Sequence, residues 1–250
     1  MRKIIIAISL CASLALLWQW VSSWHATTRL FISSPSAVWS YSLSHFADLK
    51  DATGYTLKHA ALGLSLATAA SIGTMVFCMV FPRLLKMVLP VMIVVQVIPL
   101  ITIAPLLIII LGSGSAPIVL MSALLAYFPI FINFANGVRH VDQSILDFLT
   151  LNRASLWDKM RLAYFPLSLP QLFSGLRVGA TLSVIGAIVA EFSGVPIGLG
   201  RNLYVSSLRL EPELMMVTLG LSALMGGLFY LICIGTERIF ARWYSPGLGI

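Results

Sequence analysis

Long, nearly uninterrupted apolar runs decide what this chain can fold into. A helix needs about 20 apolar residues to cross the hydrocarbon of a bilayer. The sequence offers six runs near that length: Ile4–Trp20, Leu57–Phe81, Leu84–Leu111, Pro117–Gly137, Leu172–Phe192 and Leu214–Ile234. With 59% hydrophobic and only 10% charged residues in 250, no soluble domain could hide so much apolar surface from water. The expected fold class is therefore all-α, a polytopic membrane protein of about six transmembrane helices in the lipid bilayer. The first run follows Arg2 and Lys3 as a signal peptide would, yet it lacks a small-residue cleavage site. It also leads into Trp18, Trp20 and Trp24, which suit an interfacial belt, so a retained span is expected.

The charges orient these spans. With the N-terminus inside, inner segments carry Arg2, Lys3, Arg83, Lys86, Arg139, Arg153, Lys159, Arg161, Arg177, Arg238 and Arg242. Outer segments carry Arg29, Lys50, Lys58, Arg201 and Arg209, so the balance is eleven to five and both termini are expected in the cytoplasm. The net charge of +7 thus reports orientation; its dispersal speaks against nucleic acid as a partner. On the outer side, Ser33-Ser34-Pro35-Ser36 can start a short helix with Pro35 in its first turn. A second outer segment, Ser193–Glu213, contains Gly194, Pro196, Gly198 and Gly200.

Nothing in the chain looks catalytic. Cys11, Cys78 and Cys233 are far apart within apolar runs, and His25, His45, His59 and His140 are scattered. No phosphate-binding glycine loop, metalloprotease helix or nucleophile elbow occurs, so no catalytic residue, metal site or cofactor is expected.

One inner segment, about Val138 to Gln171, stands apart from the apolar remainder. Asp142 can cap a short helix holding Ile145, Leu146, Phe148, Leu149 and Leu151, and Asn152 can end it in the left-handed conformation. Ser155 followed by Asp158 has the spacing of a capping box and starts a second helix, which should fade before Pro166, with Pro170 opening the next span. The two helices would show Phe148, Leu149, Leu156 and Trp157 among Arg153, Asp158, Lys159 and Arg161. Such a patch suits docking of another protein, or packing against the ends of the chain's own spans.

Leu146-Asp147 through Pro166, then Leu169-Pro170, Gly175-Leu176-Arg177 and Ala190-Glu191, resembles the coupling loop and following helix of binding-protein-dependent ABC importer permeases of type I. Ser34-Pro35-Ser36-Ala37-Val38, Gln96-Val97-Ile98-Pro99, Ala104-Pro105-Leu106-Leu107, Phe128-Pro129-Ile130, Gly137-Val138-Arg139, Gly198-Leu199-Gly200 and Glu237-Arg238 follow in the order that family shows. The subfamily it is most similar to handles nitrate, sulfonates, taurine and thiamine or flavin precursors. The loop departs from the family pattern: Phe148 and Leu149 stand for alanines and Arg153 for a glycine, which Asn152 would replace one residue early.

The resemblance implies a permease subunit in the bacterial inner membrane, working as a homodimer. Its partners would be a cytoplasmic ATPase dimer and an extracytoplasmic binding protein. Asp147, Asn152, Arg153, Ser155, Leu156 and Trp157 would sit in or near the ATPase cleft. It further divides the chain into a first helix (1–24), an outer segment (25–56), a permease core (57–243) containing the loop 138–171, and a tail (244–250). Gln96, Thr102, Asn133 and Asn136 are pathway candidates, the first two beside Pro99 and Pro105; for each taken singly, helix–helix hydrogen bonding is the plainer reading. Glu191, the one acid inside an expected span, joins them as a gate or as a partner of Arg201, at a depth from which it should reach water. The competing reading is a self-powered secondary transporter or channel, which would ordinarily show inverted repeats or paired membrane charges.

Overall fold

The run from Pro117 to Gly137 becomes a helix packed against those of the second and fifth expected spans. A computed structural model describes residues 13, 16–22, 33–95 and 102–244. In chain order the helices are α1 (Pro35–Ser44), α2 (Phe46–Val80), α3 (Pro82–Val95), α4 (Ile103–Leu111) and α5 (Ser115–Arg139). They continue with α6 (Gln143–Leu151), α7 (Leu156–Lys159), a π turn at Met160–Tyr164, α8 (Phe165–Phe192), α9 (Leu199–Arg209) and α10 (Pro212–Tyr244). Residues 16–22 are helical as well. The described residues contain no strand, as expected for an all-α membrane fold.

Four helical stretches among the described residues are long and apolar enough to span a membrane: Phe46–Val80, Ser115–Arg139, Leu156–Phe192 and Pro212–Phe240. Most of the first expected span lies outside the described residues. The third, Leu84–Leu111, is two shorter helices, α3 and α4, with residues 96–101 between them outside the description. Pro105 accordingly sits in the first turn of α4, where its missing N–H is harmless, rather than in mid-span.

Helix α2 starts eleven residues earlier than its apolar run, at Phe46 instead of Leu57. Its 35 residues reach roughly 50 Å at 1.5 Å per residue, so the turns carrying Asp48, Lys50 and Asp51 project beyond the hydrocarbon. Helix α1 forms as expected: Pro35 is in its first turn, and the Ser34 hydroxyl accepts from the Ala37 amide at 3.3 Å.

Helices do not associate in lipid by hiding apolar surface, because lipid is apolar too. Close backbone approach replaces that drive, and it requires small residues. Helices α5 and α8 meet in this way over nearly their whole length. A Cβ on Gly137 would lie 2.8 Å from Ser168 Cβ; on Gly175, 2.8 Å from the Pro129 carbonyl oxygen; on Gly179, 2.8 Å from Ile130. On Gly186 it would lie 2.6 Å from Ser122 Cα. Gly175 and Gly179, four residues apart, thus serve close packing as their spacing suggests. Hydrogen bonds reinforce the contacts: Ser122 donates to the Ser183 carbonyl at 2.8 Å, and Ser71 of α2 to the Tyr127 carbonyl at 3.2 Å. Midway along α8, Arg177 pairs with Glu237 of α10 at 3.2 Å.

The helix after Ser155 does not fade before Pro166. It runs unbroken through Pro166 and Pro170 to Phe192. The π turn makes this possible: the Phe165 amide donates to the Met160 carbonyl, five residues back, and Pro166 follows where the ladder is already stretched. A local proline rule therefore misplaces this boundary.

Candidate functional site

The chain turns between α6 and α7 by a defined set of hydrogen bonds. Asp142 caps α6, accepting from the Ser144 amide at 2.9 Å and its hydroxyl at 2.7 Å, and these bonds hold its carboxyl below the usual range. The helix ends in a Schellman arrangement: Ala154 N–H donates to the Leu149 carbonyl and Arg153 N–H to that of Thr150, both at 2.9 Å. The left-handed residue is Arg153, with φ +56°, whereas Asn152 stays at φ −81°. The expectation for Asn152 is thus corrected. Asn152 instead turns its side-chain amide back to the Phe148 carbonyl at 2.8 Å.

The capping box forms as its spacing predicts. Asp158 N–H donates to Ser155 Oγ at 3.2 Å, and Ser155 N–H to Asp158 Oδ2 at 2.9 Å. Ser155 Oγ also donates to Asp158 Oδ2 at 2.6 Å, and these bonds lower the Asp158 pKa. Lys159 Nζ reaches back to Thr150 Oγ1 at 2.8 Å and ties the two helices together. Asp147 lies one turn earlier on α6, exposed, accepting from Gln143 Nε2 at 3.0 Å.

This rigid turn leaves large apolar side chains in the open: Phe148 is 65% exposed, Trp157 68% and Leu156 44%. Leu149 is half-buried. Leu151, which the sequence placed on the helix without assigning it to the patch, is 84% exposed. Its exposure depends on how α6 leans relative to the spans, which no local pattern records. Beneath the turn, Val76, Met79, Phe134, Trp157, Met160, Arg161 and Phe165 line a cavity of about 290 Å³.

The far end of α8 holds a second arrangement. Glu191 is fully buried; its Oε2 accepts from Thr56 Oγ1 and from the Gly200 amide, each at 2.9 Å. Thr56 Oγ1 in turn accepts from the Leu199 amide at 2.9 Å. The N-cap residue of α9 is Gly198, which has no side chain to cap it, so Thr56 of α2 and Glu191 of α8 cap it instead. A Cβ on Gly200 would lie 2.7 Å from Glu191 Cβ, so the close approach requires glycine there. Glu191 therefore neither reaches water nor pairs with Arg201, which lies 5.5 Å over the Tyr204 ring.

The pathway candidates are not brought together. Gln96 lies outside the described residues, and Thr102 is exposed at the start of α4. Asn133 is half-buried, bonded to the Pro129 carbonyl at 2.8 Å and packed against Gly175; Asn136, also on α5, is exposed. Gly175 and Glu191 are 16 residues apart on α8, roughly 24 Å, so Asn133 and Glu191 occupy different depths.

Residues 61–249 match the family described as binding-protein-dependent transport system inner membrane component. The probable ABC transporter permease protein of Haemophilus influenzae is 31% identical, over 82% of this chain and 84% of its own length. The riboflavin transport system permease protein of Chloroflexus aurantiacus is 33% identical over 62% of this chain, which spans only 58% of that protein. The formylaminopyrimidine transport permease protein of Halalkalibacterium halodurans is 29% identical over 56% of this chain and 57% of its own.

Proposed function

The chain belongs to the binding-protein-dependent transport system inner membrane components, and from that membership we propose that it is the permease subunit of an ATP-driven importer. It is a multi-pass membrane protein with a transport role. In this reading the chain does no chemistry, and ATP hydrolysis belongs to a separate cytoplasmic subunit. Two copies of the permease surround one pathway. An outer binding protein delivers the solute, and two ATPases grip the two inner turns. Both termini face the cytoplasm, following the eleven-to-five charge asymmetry.

The observation that carries this reading is the inner turn. A flexible loop would lose force to its own bending; this one is closed at both ends by the Schellman bonds and the capping box, and cross-tied by Lys159. It continues without a break into α8, so a push on Trp157 reaches the α5–α8 seam through continuous helix. Asp147, Asn152, Arg153, Ser155, Leu156 and Trp157 form the docking element. Gln96, Thr102, Asn133 and Asn136 remain proposed pathway residues, whereas Glu191 is better suited to holding α9. The solute class is a flavin or thiamine precursor, in line with what the riboflavin and formylaminopyrimidine relatives are named for.

Purification in mild detergent tests the proposal. The ATPase encoded with the chain should co-purify, and Leu156→Ala with Trp157→Ala should abolish that association while membrane insertion stays normal. Co-purification undiminished in the double variant would place docking elsewhere. No ATPase in the wild-type preparation would end the permease reading.

A further inference from the structure

Of the charged side chains from Asp142 to Lys159, four are already engaged within the turn. Asp142 holds Ser144, Asp147 holds Gln143, Asp158 holds Ser155 and Lys159 holds Thr150. Arg153 alone has no hydrogen-bond or ion-pair partner among the described residues, and its side chain is exposed. It also occupies the one left-handed position of the turn, at φ +56°. That conformation costs backbone energy for any residue with a Cβ, and glycine or asparagine would relieve it. Asn152 is adjacent yet does not take the position. A strained backbone bearing an unengaged guanidinium, between exposed Leu151 and Trp157, is an arrangement whose benefit lies outside the chain.

We infer that Arg153 is the charged anchor of the docking turn, inserting its guanidinium against a carboxylate that rims an apolar groove on the ATPase subunit. The inference rests on the docking reading above and deepens it by naming the partner's chemistry. The apolar neighbours argue for a protein groove over a lipid headgroup: Leu151 is 84% exposed and Trp157 68%, and an anion alone would cover neither. No ion pair joins Arg153 to an acid among the described residues, so its charge complement comes from the partner. Arginine suits the role because its planar fork can meet a carboxylate with two bonds, which a lysine cannot.

The test uses the full complex of permease and ATPase in nanodiscs of zwitterionic lipid. Arg153→Gly should leave the thermal midpoint of the permease alone unchanged or higher, because the strain is relieved. It should nevertheless weaken ATPase binding roughly tenfold and flatten the salt dependence of that binding. Arg153→Lys should fall between the two, and Arg153→Glu should bind more weakly than glycine. Arg153→Gly binding as tightly as wild type, with the same salt slope, would overturn the inference while leaving docking intact. A defect seen in anionic nanodiscs but lost in zwitterionic ones would assign Arg153 to lipid and overturn it too. Absence of binding by the wild-type complex would instead remove the docking reading itself.

Discussion

Replacing Glu191 with alanine isolates what its buried carboxyl does. The side chain is fully buried, and its Oε2 receives two donors. Only one of them is orphaned by the substitution: Thr56 already faces the Ala52 carbonyl at 3.1 Å and can turn its proton there, whereas the Gly200 amide has no alternative. An orphaned buried amide costs about 1–3 kcal/mol. The space left by the missing carboxyl and methylenes adds about 1–2 kcal/mol. A loss of about 2–5 kcal/mol follows, concentrated on the anchorage of α9. Hydrogen exchange read by mass spectrometry should show peptides within Leu199–Arg209 exchanging at least about tenfold faster, at 1.4 kcal/mol per tenfold. Peptides across the α5–α8 seam should hardly change. Glu191→Gln keeps an acceptor for Gly200 and should lose less. Exchange in α9 within about twofold of wild type in Glu191→Ala would refute the reasoning, because α9 would then be held by something other than this cap.

The remaining predictions concern the seam and the turn between α6 and α7. Gly186→Ala should cost about 1–3 kcal/mol in thermal unfolding, since its Cβ would meet Ser122 Cα and the Met121 carbonyl, which are backbone and cannot step aside. Gly73→Ala, with nothing within 4 Å of the added Cβ, should stabilise α2 by up to about 1 kcal/mol. Equal effects from both would contradict the packing account. Asp158 titrates below its ordinary 3.8 because Ser155 bonds its charged form. A depressed folded pKa contributes order that is complete above the unfolded value and lost as pH falls through the folded one. Protection of the turn should therefore decline below about pH 4 and lose that dependence in Ser155→Ala, as amide exchange would show.

Local devices were legible in the sequence because their partners are close. The Ser34–Pro35 start of α1, the Asp142 cap and the Ser155–Asp158 box each involve residues within three positions, and each formed. Four of the six apolar runs also lie in helices long enough to span, though not with the expected ends: α2 is prolonged by charged turns that a hydropathy pattern assigns to a loop. What failed depended on geometry that a local rule cannot carry. Pro166 reads as the end of the second helix and Pro170 as the start of the next span, yet one helix runs through both, with Pro166 just after the π turn. Asn152 has the better intrinsic preference for the left-handed position, but the Schellman bonds to Leu149 and Thr150 assign it to Arg153. The burial of Glu191 depends on Thr56, 135 positions away, and on a glycine approach that shows in the sequence only as Gly198-Leu199-Gly200.

Transport itself is the most direct test of the central claim. The permease, its ATPase and its binding protein would be reconstituted together in liposomes, and uptake of a labelled flavin or thiamine precursor followed with and without ATP. The account predicts uptake that requires both ATP and the binding protein and disappears in the Leu156→Ala, Trp157→Ala double variant. Uptake driven by an ion gradient with no ATP present would contradict it and return the chain to the self-powered transporters.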